Sequence, residues 1–213
     1  MKDALKDSLV FSYNHRWSIA TLLMPYLVAM LIISLTVRYF AGSFPSLLWL
    51  EFLLIALLQP VYLGRLIKYI NKAVNHTEGD LFISIQEWWR LFLVYILYSL
   101  AVLFGLVLLI LPGICFAIRL GFSEFYTILD GKSPLDSIER SWESTRSCFW
   151  PLVGGGLLLG TVSLALDRLM ANAAGWVTTS ELLAGTLSQV VSVVFMVLMT
   201  VFFFRIFDGI NDS

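Results

Sequence analysis

Six stretches of the chain are apolar over lengths that suit a membrane crossing, and polar segments separate them. A helix needs about 20 apolar residues to traverse the hydrocarbon core of a bilayer. Residues 17–37 carry no charge and form the first candidate span. Residues 46–64 are apolar except for Glu51. Residues 91–111 form the third span, and 114–129, shorter and carrying Arg119 and Glu124, the fourth. Residues 147–166 and 182–204 carry no charge and complete the set. Leu111-Pro112-Gly113 divides what would otherwise be one long apolar helix. Proline removes a helix hydrogen bond, and Pro-Gly suits a tight turn between antiparallel helices. The pattern predicts an all-α integral membrane protein, a single polytopic domain of six transmembrane helices in three helical hairpins.

The polar segments predict cytoplasmic amphipathic helices lying in the interface. Ser133-Pro134-Leu135-Asp136 combines an N-cap residue, proline at the first helical position and an acid two places on. Leu135, Ile138 and Trp142 then share one face, and Asp136 with Arg140 supports the wet one. After the second span, Leu66, Ile67, Ile70 and Val74 share a face, with Lys68 and Lys72 on another. Residues 2–15 pattern more weakly. Tryptophan stands near the start of each odd-numbered span, at Trp17, at Trp88 with Trp89, and at Trp150. This spacing fits three repeats of a surface helix plus a hairpin, or an aromatic belt at the interface.

Composition agrees with a membrane class. Of the 213 residues, 59% are hydrophobic and only 14% charged, and mean hydropathy is +0.84. A soluble domain of this size could not conceal that much apolar surface. Net charge is −1, and there is no basic stripe of the kind a nucleic-acid binder needs. The distribution of charge then orients the chain. Lys2, Lys6, Arg16, Arg65, Lys68, Lys72, Arg90, Lys132, Arg140, Arg146 and Arg205 fall on one side of the six spans. Only Arg38 and Arg168 fall on the other. Both termini are therefore expected in the cytoplasm. No short apolar stretch with a small-residue cleavage site follows the charged start, so the first span is expected to act as the targeting signal.

Charged groups inside a span cost about 2.5–3.5 kcal/mol each on insertion scales and need a reason. Glu51 and Arg119 fall at similar depth in spans of the same direction, which predicts an ion pair between them. Such a pair would hold helices in register or line a substrate path. Gly113, Ala117 and Gly121 form a small-residue packing stripe in the fourth span, with Glu124 on the same face. Glu124 should therefore face other helices, with Arg65 a candidate partner. Gly156 and Gly160 form a second stripe, and Gln189 and Ser192 are expected to hydrogen-bond between helices. No zinc helix, nucleophile elbow, phosphate loop or dinucleotide fingerprint is present. No catalytic, cofactor or metal residue is assigned. Cys115 and Cys148 are expected to be reduced and unpaired.

From about Leu57 to the C-terminus the motifs resemble a known family. Gln59-Pro60 and Gly64 come first, then Leu111-Pro112-Gly113, a short span, and Leu129-Asp130-Gly131-Lys132. Ser133 to Arg146, Phe149-Trp150-Pro151 and Leu187-Ser188 follow. This order is similar to the YciC-like family of uncharacterised bacterial inner-membrane proteins, and to the membrane domain attached to some glycerophosphodiester phosphodiesterases. The first two spans match more loosely. The resemblance implies a six-span helical fold in the bacterial cytoplasmic membrane. It implies no phosphodiesterase chemistry, which belongs to a separate soluble domain of those relatives. Arg119 is common in the fused type and not fixed in the YciC-like one. Three functions compete: a non-catalytic protein that binds lipid or protein partners for envelope function, a small transporter or channel component using Glu51, Arg119 and Glu124, and a lipid-modifying enzyme. The amphipathic surface helices and the absence of catalytic motifs place the first ahead. Six spans without clear inverted halves weaken the second, and the absence of clustered acids or histidines at one membrane face weakens the third.

Overall fold

The computed structural model describes residues 2–41, 47–77, 79–177 and 181–211. Among them there is helix and no strand. The order is α1 (Lys2–Asn14), α2 (Arg16–Ala41), α3 (Leu47–Asn75), α4 (Ile85–Leu108), α5 (Ile110–Arg119), α6 (Ser123–Leu129), α7 (Pro134–Ser144), α8 (Phe149–Val177) and α9 (Glu181–Asn211). Five of these, α2, α3, α4, α8 and α9, are long and apolar enough to cross a bilayer. The helices pack most extensively as α2 with α3, α4 with α5, and α8 with α9. These are three hairpins.

The stretch 114–129, expected as a single helix, is divided into α5 and α6 by a turn over Leu120–Phe122. The hairpin break before it also shifts. It falls at Leu109, an extended residue (φ −168°, ψ 158°), and not at Pro112-Gly113. Pro112 sits in the first turn of α5, where its missing N–H costs no intrahelical bond. Gly113 is free to do something else. A Cβ on Gly105 would lie 2.8 Å from Gly113 Cα. The two glycines thus let the α4 and α5 backbones touch, which a one-residue connection requires.

The expected surface helix over Leu66–Val74 is the second half of α3, which runs unbroken for 29 residues. Leu66, Ile67 and Ile70 are fully buried. Their apolar face packs against protein and not along the membrane surface. A short helix precedes each of the hairpins α2–α3 and α8–α9, while the middle hairpin is entered from non-helical chain. Its start is fixed locally. Ser84 caps α4 in a reciprocal box with Glu87, and Glu87 also pairs with Lys68 at 2.8 Å. The Trp88 indole donates to the Leu57 carbonyl.

One end of the bundle, here the base, collects most of the core. Phe11, Ile19–Tyr26 in the first half of α2, Leu63–Ile70 in the second half of α3, and Leu91 at the start of α4 meet there. The α5–α6 turn, Leu152 and Val193–Phe207 complete it. Phe122, Phe125, Phe204 and Phe207 form an aromatic cluster at its centre. Both chain ends lie at the base. Arg205 stands over the Phe11 ring, and Asn75 donates to Asp208. Toward the far end, the described residues of α4, α5 and α8 are largely exposed, including Leu100, Leu103, Phe104, Leu164 and Leu169.

Candidate functional site

A cavity of about 420 Å³ lies between the three hairpins. Its apolar walls include Leu63 of α3, Val94 of α4, Ile114 and Ile118 of α5, Leu157 of α8, and Met196, Met199 and Phe203 of α9. Polar side chains are few: Gln59, Tyr95, Tyr98, Ser123, Glu124 and Thr200. Leu157 is 47% exposed, so one wall stands on the outer face of α8.

The turn between α5 and α6 aims Glu124 inward. Tyr95, near the middle of α4, donates to Glu124 Oε2 at 2.8 Å. Tyr98, one turn further, lies 3.5 Å from the Ala117 carbonyl. The pair of tyrosines was not singled out from the sequence; its signal is two phenols at i and i+3 inside an apolar run. Glu124 does face other helices, as its position on the small-residue stripe implies. Its partner is Tyr95 and not Arg65, whose Nε is buried without an acceptor.

Breaking a helix frees backbone groups that must find other partners. Here α7 satisfies them. The Ser141 hydroxyl donates to the Arg119 carbonyl at 2.8 Å and accepts from the Phe122 N–H at 3.0 Å. Thr145 Oγ1 reaches the same carbonyl at 3.3 Å, and Ser137 meets Thr127 at 2.9 Å. Ser137, Ser141 and Thr145 are fully buried. The inner face of α7 is therefore this hydroxyl stripe, spaced every four residues, while Leu135 is 69% exposed. The predicted cap is present: Ser133 accepts from the Asp136 N–H, with Pro134 following. On the wet face Arg140 meets Glu143 at 3.8 Å, not Asp136.

Glu51 and Arg119 do not pair. α5 begins at Ile110, four residues before the expected span, which carries Arg119 deeper. Its Nη1 donates to the Trp142 carbonyl at 3.1 Å, and its guanidinium lies over the Trp142 and Phe149 rings at 5.1 and 5.3 Å. Its Nε is buried without an acceptor. Glu51 instead accepts from Ser34, which accepts in turn from Gln189 Nε2 at 2.8 Å. This chain joins α3, α2 and α9, so Gln189 bonds between helices as expected. Ser192 is exposed.

The small-residue stripes hold in part. A Cβ on Gly121 would strike the Phe203 ring, while Gly156 makes a looser contact with Ile118 at 3.3 Å. Ala117 borders the cavity. A Cβ on Gly160 would meet nothing within 4 Å, so this glycine takes no part in close packing. The tight position is Gly155, where a Cβ would run into Phe202.

The model of a domain of unknown function, DUF7847, matches residues 81–210. The chain belongs to this family. The match runs from the approach to α4 through α9, and so contains the α5–α6 turn, its α7 support, Arg119 and most of the cavity wall. No curated protein and no solved structure matches the chain.

Proposed function

We propose that this DUF7847 protein is a non-catalytic multi-pass protein of the bacterial cytoplasmic membrane that binds lipid in its central cavity in support of envelope function. The observation that carries this reading is the cavity itself: apolar walls, a handful of polar groups, and one wall on the lipid-facing side of α8. Small-ligand sites are typically built this way. The proposed topology has six crossings, with α5 and α6 together forming the fourth. α8 starts at the same end as α4, so the chain must return between them. The basic residues gather at the base, and the charge rule then favours a cytoplasmic base with both termini there. Kinship with the YciC-like proteins is proposed on the same footing. Labelling of single cysteines at Ser133 and Leu109 from outside spheroplasts should modify only the second.

The lipid reading is tested by native mass spectrometry of gently purified protein. The wild type should retain lipid, and Ala117→Trp, which fills the cavity, should lose most of it. Equal retention by both, or none by the wild type, would overturn the reading. The Glu124 carboxylate in the cavity supports a second reading, passage of a cation. Proteoliposome flux that Glu124→Gln abolishes would favour it, and flux equal to empty vesicles would remove it.

A further inference from the structure

Arg119 is a cation without a counter-charge among the described residues. No carboxylate among the described residues pairs with it. One of its five donors reaches a carbonyl, its Nε has no acceptor, and two aromatic rings hold the guanidinium in place. Arg146, in the turn joining α7 to α8, is exposed and likewise has no acid partner among the described residues. Trp150, one turn on, is 78% exposed. A guanidinium fixed by aromatic rings, with Nη donors left over beside its one carbonyl bond, is suited to a phosphate oxygen. The residues on either side of Arg119, Ile118 and Leu120, line the cavity. At that level the cavity reaches the outer face of the bundle between Ile118 of α5 and Gly156 and the exposed Leu157 of α8.

We infer that Arg119 binds the phosphate of an anionic phospholipid of the cytoplasmic leaflet, whose acyl chain enters the cavity between α5 and α8. This rests on the lipid-binding reading and names its lipid class. The net charge of the site decides between lipids: an unneutralised arginine favours a headgroup of net negative charge over a zwitterionic one. Each basic residue near an anionic surface contributes a preference of about fivefold.

The test is competition between phosphatidylglycerol and phosphatidylcholine with matched chains, added in equal amounts to delipidated full-length protein and read by native mass spectrometry. The wild type should prefer phosphatidylglycerol about fivefold. Arg119→Gln should bring that ratio close to one while still retaining lipid, and Arg119→Lys should keep part of the preference. Wild type that retains both lipids equally would overturn this inference and leave the lipid-binding reading standing. Wild type that retains neither would overturn both. A preference unchanged in Arg119→Gln would overturn the assignment. Phosphatidylglycerol brominated near the glycerol should quench the Trp142 contribution to fluorescence more than brominated phosphatidylcholine does, and equal quenching would again overturn the assignment. Should Arg119→Gln fail to fold, an unchanged preference in Arg119→Lys together with equal quenching would do so.

Discussion

Ser141 carries more of the structure than its size suggests. It is a buried hydroxyl that donates to one freed backbone group and accepts from another, on either side of the α5–α6 turn. Replacing it by alanine leaves the Phe122 N–H without a partner, which costs about 1–3 kcal/mol. Thr145 is a useful contrast, because the Arg119 carbonyl it approaches keeps its bond from Ser141. Thr145→Val should therefore cost clearly less than Ser141→Ala. Unfolding midpoints in mild detergent would rank them, and the reverse order would contradict this account of the turn. Neither residue stands out in the sequence, where serine and threonine on an amphipathic helix look like ordinary wet-face residues. The position of Arg119 is equally hidden. Its depth depends on where α5 starts, and the Pro-Gly pair points four residues too late.

At the scale of helices, close approach is decided by glycine, but not by the expected ones. Gly155 faces the fully buried Phe202 ring, which has nowhere to retreat. Gly155→Ala should destabilise the α8–α9 hairpin by about 1–3 kcal/mol through overpacking. Gly160→Ala meets empty space and should leave stability unchanged. Thermal melts of the two variants would check the pair, and equal losses would be inconsistent with the packing described. The five long apolar helices and the hairpin order were legible from run length and composition, because hydrophobic length depends on local sequence alone. The division of the stretch 114–129 into α5 and α6 was not. Its backbone bonds are completed by α7, a separate helix whose contribution cannot be read within the run itself. The burial of Leu66–Ile70 was hidden for a similar reason. An apolar stripe opposite lysines looks the same whether lipid or protein covers it.

For the molecule as a whole, the core is concentrated at the base, where α1 packs between α2 and α9, α6 between α3 and α4, and α7 against α4 and α6. Toward the far end, Glu51–Ser34–Gln189 links the first and third hairpins, and Ser188 donates to Asp167 within the third. In the middle hairpin the described link toward that end, Tyr98 Oη at 3.5 Å from the Ala117 carbonyl, lies within the hairpin, and none there among the described residues ties it to the other two.

That leaves the middle hairpin as a lever with its fulcrum at Ser141. α4 rises about 36 Å over its 24 residues. Only the part beyond Tyr95, which meets Glu124 at the level of the turn, is the lever arm, about 20 Å to Leu108. A swing of about nine degrees would carry the tip through about 3 Å, enough to widen or narrow a gap beside α8. Spin labels at Leu103 and Leu164, in a background lacking Cys115 and Cys148, should then give a broader distance distribution than labels at Trp89 and Trp150. Equal widths would mean that the hairpin is as stiff at its tip as at its root.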